Sequence, residues 1–241
     1  FAGGDGTEAN PYIIMTPEQL AAVNYNVNMY YELGDNIDLT EYENWLPLAT
    51  SRYPFTGTLD GKGYKISNLT ITGSDAYRGL FGYNSGTIKN IELENVNVSG
   101  GDYTGSLAGY SIGTIENVNV TGEVISTGQY IGGLVGYNTG TITEGNADVK
   151  TKGNSNVGGL VGYSTGTINN SSSLGDIEGT GDNVGGLIGG LNNGTFELSY
   201  ATGDVVSIGN NVGGLIGQYY SKLSLTSRKS YATGNVGGNS N

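Results

Sequence analysis

A short phrase, Val157-Gly-Gly-Leu-Val-Gly162, recurs through this chain at nearly constant spacing. Its other versions are Arg78-Gly-Leu-Phe-Gly82, Gly105-Ser-Leu-Ala-Gly109, Gly132-Gly-Leu-Val-Gly136, Gly185-Gly-Leu-Ile-Gly189 and Gly213-Gly-Leu-Ile-Gly217. The closing glycines are Gly82, Gly109, Gly136, Gly162, Gly189 and Gly217, and their successive differences in number are 27, 27, 26, 27 and 28. A period held that closely marks a solenoid, in which each repeat is one structural unit stacked on the next.

Each period carries three short apolar pieces. The first is the Gly-Gly-Leu phrase. The second is Gly-Thr-Ile, seen at Ile88, Ile115, Ile142 and Ile168, with Phe196 in the same place. The third is clearest in Leu174-Gly-Asp-Ile177 and Ala201-Thr-Gly-Asp-Val205. Three strands in a period of this length fit one coil of a three-sided parallel β-helix. A leucine-rich repeat would need a different core pattern, and a propeller blade a longer unit. The reading is therefore all-β: a three-sided, right-handed parallel β-helix, the hand following from that of parallel crossovers. About six coils stacked at ~4.8 Å give a rod of roughly 30 Å. Leu80, Leu107, Leu134, Leu160, Leu187 and Leu215 form one expected core column, and the isoleucines a second.

Residues 1–76 lack the repeat and read as an N-terminal capping region. Thr16-Pro-Glu-Gln-Leu20 is a helix start, with Thr16 as N-cap and Pro17 in the first turn. A helix of about two turns should run to Asn24, burying Leu20, Ala21 and Val23. A cap of this kind covers the core that a terminal coil would otherwise expose. Residues 77–236 are the solenoid, and 237–241 a tail or the start of another coil. The start at Phe1 and the stop within a repeat read as a processed form or an excised piece of something longer.

Composition removes several chemistries. The chain has no histidine and no cysteine, so Ser-His-Asp triads, thiol nucleophiles and ordinary zinc sites are out. Net charge is −12 with only 10 basic residues in 241. Nucleic acid and anionic membrane surfaces are thus poor partners. No apolar run approaches the roughly 18 residues of a membrane-spanning helix.

The repeats resemble the GLUG motif of bacterial surface proteins, since the Gly-Gly-Leu phrase, Gly-Thr-Ile and Ser-Tyr-Ala-Thr-Gly (Ser199–Gly203, Ser230–Gly234) recur together. The resemblance covers 77–236. The lead-in Gly6-Thr-Glu-Ala-Asn-Pro-Tyr12, Asn36-Ile-Asp-Leu39 and Phe55-Thr-Gly-Thr-Leu-Asp-Gly61 is similar to the segment that often precedes such repeats. It implies a β-helix on display at the cell surface or outside the cell, as in adhesins and the non-catalytic parts of immunoglobulin A peptidases. It implies no catalytic site, because those peptidases use zinc-binding histidines. The expected function is a non-enzymatic, adhesin-like stalk and binding face. The expected partner is a glycan or a host or cell-surface protein. The alternatives are a structural subunit assembling with copies of itself into filaments or layers, and, more remotely, a polysaccharide-active β-helix enzyme.

Four residue columns could carry function. Tyr83, Tyr110, Tyr137 and Tyr163 follow the repeat phrase and should stack on successive coils. They either stabilise a corner or form an aromatic strip for sugar rings. Val135, Val161, Ile188 and Ile216 follow the core leucines and, by strand alternation, should face outward with Phe81 as a self-association stripe. A bend at the glycines would instead turn both residues inward. Glu123, Asp148, Asp176 and Asp204 should line one edge. That edge is either simply solvated or a weak Ca²⁺ site; no metal site or cofactor is assigned. Thr87, Thr114, Thr141, Thr167 and Thr195 make an outward threonine column. Asn68, Asn97, Asn119, Asn169, Asn170 and Asn193 stand in N-glycosylation acceptor sequences.

Overall fold

Every strand-to-strand pairing among the described residues is parallel. The one antiparallel bridge, Thr7 to Asn10, lies in the lead-in. The computed structural model describes residues 1–220 and 227–238. It is an all-β parallel solenoid of about seven turns with a single short helix near the N-terminus.

The strands fall into three sheets. One carries the residues after each Gly-Gly-Leu bend: Phe81–Asn84, Ala108–Ser111, Val135–Asn138, Val161–Ser164, Ile188–Leu191 and Ile216–Tyr219. The largest wraps around a corner, with long strands Thr87–Gly100, Thr114–Ser126 and Thr141–Gly153. In the next coil the same path breaks into Thr167–Asn169, Ser172–Ser173 and Ile177–Gly179. A small sheet of Gln129–Gly132, Ser155–Gly158, Val184–Gly185 and Val212–Gly213 closes the coil.

Interior positions pair in register, apolar on apolar. Ile88, Ile115, Ile142, Ile168 and Phe196 pair in sequence, each 2 % exposed or less. Leu80, Leu107, Leu134, Leu160 and Leu187 are fully buried beside them. Burying one such side chain is worth roughly 1.5–3 kcal/mol, so the interior is a continuous apolar stack.

The parallel ladder runs straight through the expected boundary at 76/77. Leu59 pairs with Ile88, Tyr31 with Leu59, and Tyr12 with Tyr31. Residues 1–76 thus contain solenoid turns as well as the helix. That helix is Pro17–Ala21, continued as a 3-10 turn Ala22–Tyr25. The Thr16 hydroxyl accepts from the Gln19 N–H, and Leu20 and Val23 are buried. Downstream, Val206 still pairs with Gly237; the rest of the expected tail beyond 238 lies outside the described residues.

Corners use left-handed backbone. Asn90, Asn117, Glu144, Asn170 and Leu198 hold positive φ at one corner, recurring once per coil. Asn68 and Asn95 do so at another. Asparagine tolerates this region because its short amide bonds locally. It also builds amide ladders between coils: Asn117 donates to Asn90 at 3.0 Å, and Asn95 to Asn68 at 2.7 Å. The turn before each Gly-Thr-Ile piece leaves no room for a side chain. A Cβ on Gly140 would lie 2.0 Å from the Gly113 carbonyl oxygen. Beneath it runs a fully buried polar column, Asn84, Ser111, Asn138 and Ser164. Asn84 donates to Ser111 Oγ at 3.0 Å, and its own Oδ1 accepts from the Gly86 N–H.

The outward stripe expected from Val135, Val161, Ile188 and Ile216 is not outward. Val135, Val161, Ile188 and also Phe81 are fully buried, and Ile216, in the last Gly-Gly-Leu coil, is partly so. The cause is the bend at Gly133-Leu134 and its equivalents in successive coils, where Gln129–Gly132 ends in one sheet and Val135–Asn138 begins in another. The Leu160 carbonyl accepts from both Leu134 N (3.0 Å) and Val135 N (3.1 Å); Leu187 does the same for Leu160 and Val161. Leucine and its successor thus flank a corner instead of alternating along one strand, and both point inward, as a bend at the glycines requires.

Candidate tyrosine face

Tyr83, Tyr110, Tyr137 and Tyr163 do stack, as their spacing requires. Their ring centroids are 4.8, 4.9 and 5.0 Å apart, with interplanar angles of 11°, 5° and 27°. Those distances repeat the spacing of parallel strands. Each ring is partly exposed.

A second ladder runs beside the first. Tyr77 stacks on Tyr103 at 4.8 Å, and Tyr103 on Tyr130 at 4.9 Å. Cross-contacts of 6.0 and 5.5 Å tie Tyr103 to Tyr110 and Tyr130 to Tyr137. Sequence reasoning missed this ladder because Tyr77, Tyr103 and Tyr130 occupy a corner that later coils give to asparagine. All three hold positive φ (60°, 58° and 64°), as do Asn156, Asn183 and Asn211 in the coils that follow. A bulky aromatic in this region is an outlier. It costs roughly 1–2 kcal/mol per residue. The available signal was that those asparagines continue the tyrosines at the interval of the repeat.

The spacing of Tyr83, Tyr110, Tyr137 and Tyr163 breaks at Gly190 and Gln218, but the face does not end there. A Cβ on Gly190 would meet the Tyr163 ring at 2.6 Å, so the glycine leaves space for it. Tyr220 then reaches back to within 5.8 Å of the Tyr163 ring. Its hydroxyl is held by Asn183 Nδ2 at 2.6 Å, within the amide ladder Asn156–Asn183–Asn211. The result is eight contiguous tyrosines bounded on one side by asparagine amides. Rings this close and nearly parallel cannot lie flat side by side. Inner rings cover one another's faces and offer edges and hydroxyls to solvent. Burial, reinforced by neighbouring phenols, pushes the Tyr137 hydroxyl up to about 12. Tyr110 is raised for the same reasons.

At the head of the face lies a recess of about 610 Å³. The preceding coil places no tyrosine beneath Tyr77. Instead its loop carries exposed Leu46 and Tyr53, which line the recess together with Tyr77 and Arg78. Asn24 pins this loop by accepting the Ala49 N–H at 2.7 Å. The Arg78 guanidinium pairs with Asp75, while its Nε is buried without a hydrogen-bond partner.

The acidic column is not continuous. By register Glu123 stands opposite Lys150, with an ion-pair distance of 3.9 Å, and Asp148 stands opposite Thr121. Asp148 is therefore out of the column, because it falls short of Lys150, the position that register places beside Glu123. Asp176 and Asp204 are neighbours, but each carboxylate is already engaged. Asp176 Oδ1 accepts the Asp204 N–H at 2.9 Å, and Asp204 Oδ1 accepts the Asn235 N–H at 2.7 Å. Among the described residues no three metal-ligating side chains converge. The threonine column is continuous from Thr58 through Thr87, Thr114, Thr141 and Thr167 to Thr195. Of the acceptor asparagines, Asn97, Asn119, Asn170 and Asn193 are exposed.

Residues 10–122 match the family described as the M26 IgA1-specific metallo-endopeptidase N-terminal region, and residues 153–178 match the GLUG motif. The chain thus carries GLUG repeats, as its recurring phrase implied, together with a stretch of that N-terminal type. A candidate Gly-rich membrane protein of Evansella cellulosilytica is 38% identical over 103 residues, covering 39% of this chain and 12% of that protein. Halomucin of Haloquadratum walsbyi is 36% identical over 110 residues, covering 37% of this chain and 1% of that protein. The chain therefore spans a small part of the curated relatives it matches. Two solved structures share its fold. One, described as a candidate immunoglobulin A1 protease from Bacteroides ovatus, superposes with a TM-score of 0.75 at 22% identity, covering 97% of this chain and 86% of that one. The other, an IgA1 protease, gives 0.69 at 22% identity, covering 94% of this chain and 20% of that one.

Proposed function

We propose that this chain is a non-catalytic repeat module, displayed at a cell surface or outside the cell, whose binding face is the double tyrosine ladder. The observation that carries the reading is the use of tyrosine at three left-handed corners where later coils use asparagine. Strain of this kind gathers at sites where something besides stability is served. The face supplies rigid, amphipathic rings that lose little conformational entropy on binding. Its row of phenol hydroxyls and ring edges suits a hydroxyl-rich partner, and the class we favour is a glycan. The descriptions of the relatives as a membrane protein and a halomucin, and the IgA1-specific endopeptidase N-terminal region, support surface display. The adhesin role and the non-enzymatic role rest on this reading. Self-assembly through Val135, Val161, Ile188 and Ile216 loses its motive, because those side chains pack inside.

The test is a glycan array probed with the wild-type chain and with Tyr110→Ala/Tyr137→Ala. Binding lost in a variant that keeps its circular dichroism spectrum supports the reading. Binding unchanged in that variant assigns these tyrosines to structure alone.

A further inference from the structure

The geometry points to a chain-end subsite: the recess at the head of the tyrosine face takes the terminal ring of a neutral oligosaccharide. This deepens the proposed glycan reading and rests on it. Tyr77 is the first ring of its ladder. One face is covered by Tyr103 at 4.8 Å. Among the described residues no ring stacks on the other side; Tyr77 there forms a wall of the recess, with Tyr53 also in the lining. It is thus placed to offer what inner tyrosines cannot, an uncovered aromatic face. Such a face carries negative electrostatic potential and attracts the electron-poor C–H hydrogens of a pyranose. A volume of about 610 Å³ exceeds that of one sugar ring and lies within the range of small-molecule sites.

Polar chemistry decides between a neutral and an acidic sugar. Arg78 and Asp75 form an ion pair at the rim, a donor beside an acceptor. A sugar hydroxyl both donates and accepts and so fits the pair. A carboxylate could only accept, and it would face the Asp75 charge and a chain of net charge −12. The pair is preorganised. The Arg78 stem packs where Gly100 has no side chain, since a Cβ there would come within 2.6 Å of Arg78 Cγ. The buried Arg78 Nε–H has no protein acceptor, so contact with a sugar falls to the terminal guanidinium nitrogens beside Asp75.

The experiment uses the full chain and an array of neutral and acidic oligosaccharides. It then titrates the best binder, and the same oligosaccharide blocked at its terminal sugar, against the fluorescence of Trp45. This is the one tryptophan, and it adjoins the loop residue Leu46. Tyr53→Ala and Leu46→Ala remove exposed walls and leave the core untouched; Arg78→Ala removes the donor. We expect neutral binders, affinity about tenfold weaker in Tyr53→Ala and Arg78→Ala, and loss of binding on blocking the end. Binding lost in Tyr110→Ala/Tyr137→Ala but intact in the recess variants overturns the subsite and leaves the tyrosine-face reading standing. The reverse pattern keeps the subsite and removes the role of the inner ladder. Binders that are all acidic, or no binders, overturn the inference.

Discussion

Tyr103 lies ring on ring with Tyr130 at 4.9 Å, although both residues hold the left-handed backbone that aromatic residues avoid. Stacking and strain are of comparable size here. An aromatic pair contributes ~0.5–1.5 kcal/mol beyond its buried area. The backbone term is ~1–2 kcal/mol. Tyr103→Asn, which installs the residue that coils further along use, should therefore change stability by less than about 1 kcal/mol. Tyr103→Ala loses the rings and keeps the strain, and should be the weaker of the two variants. Urea midpoints of the two variants decide this; Asn falling well below Ala would remove the account.

Val161 is the sharpest test of the bend at the glycines. It is fully buried behind Leu160. Val161→Lys should therefore unfold the coil, with a penalty of several kcal/mol for an unpaired interior charge. An outward stripe would instead give a folded chain with altered association. Thermal melts read together with light scattering separate the two results.

Phenol ionisation sets an alkaline limit. Tyr31 and Tyr137 are each raised from 10 to about 12, chiefly by burial. The native state therefore holds these protons more tightly than the unfolded chain. Their contribution is fully present below about pH 10 and is lost as pH rises through the folded values near 12. Denaturation midpoints should fall steeply in that interval, and less steeply in Tyr31→Phe and Tyr137→Phe. A flat profile in the wild type would contradict the assignment.

Calcium should act no differently from matched ionic strength. Lys150 interrupts the acidic edge, and the Asp176 and Asp204 carboxylates already accept backbone N–H groups. Both carboxylates are thus partnered without a cation. Melting curves in millimolar CaCl₂ and in NaCl check this; a shift of several degrees with Ca²⁺ alone would restore a metal site.

Much of the fold was legible because a solenoid writes its geometry as spacing. Leu80 to Leu187 and Ile88 to Phe196 stand in the columns their positions predict. Strand alternation failed at Val135 and Val161, because the strand breaks at the Gly133-Leu134 and Gly159-Leu160 bends, the alternative that the glycines themselves signalled. The extra turns before residue 77 were hidden because Tyr12, Tyr31 and Leu59 share a column without sharing a motif. The first tyrosine ladder was readable from its interval. The second was masked by its exchange with Asn156, Asn183 and Asn211, which only the common backbone conformation reveals. The recess depends on a loop, Leu46 to Tyr53, whose path no periodicity records.

The parallel ladders also set how the rod bears a load. Hydrogen bonds between coils, such as Leu134 N–H to the Leu160 carbonyl, connect one turn to the next along the stack. A pull along that direction stretches them in tension, and an outermost turn can part from its neighbour a few bonds at a time. The stack then yields by peeling, turn after turn, each release adding one repeat of slack chain. A force across the rod meets the closed cross-section of packed leucine and isoleucine instead. The molecule thus resists compression across its axis and yields to sustained axial tension one turn at a time.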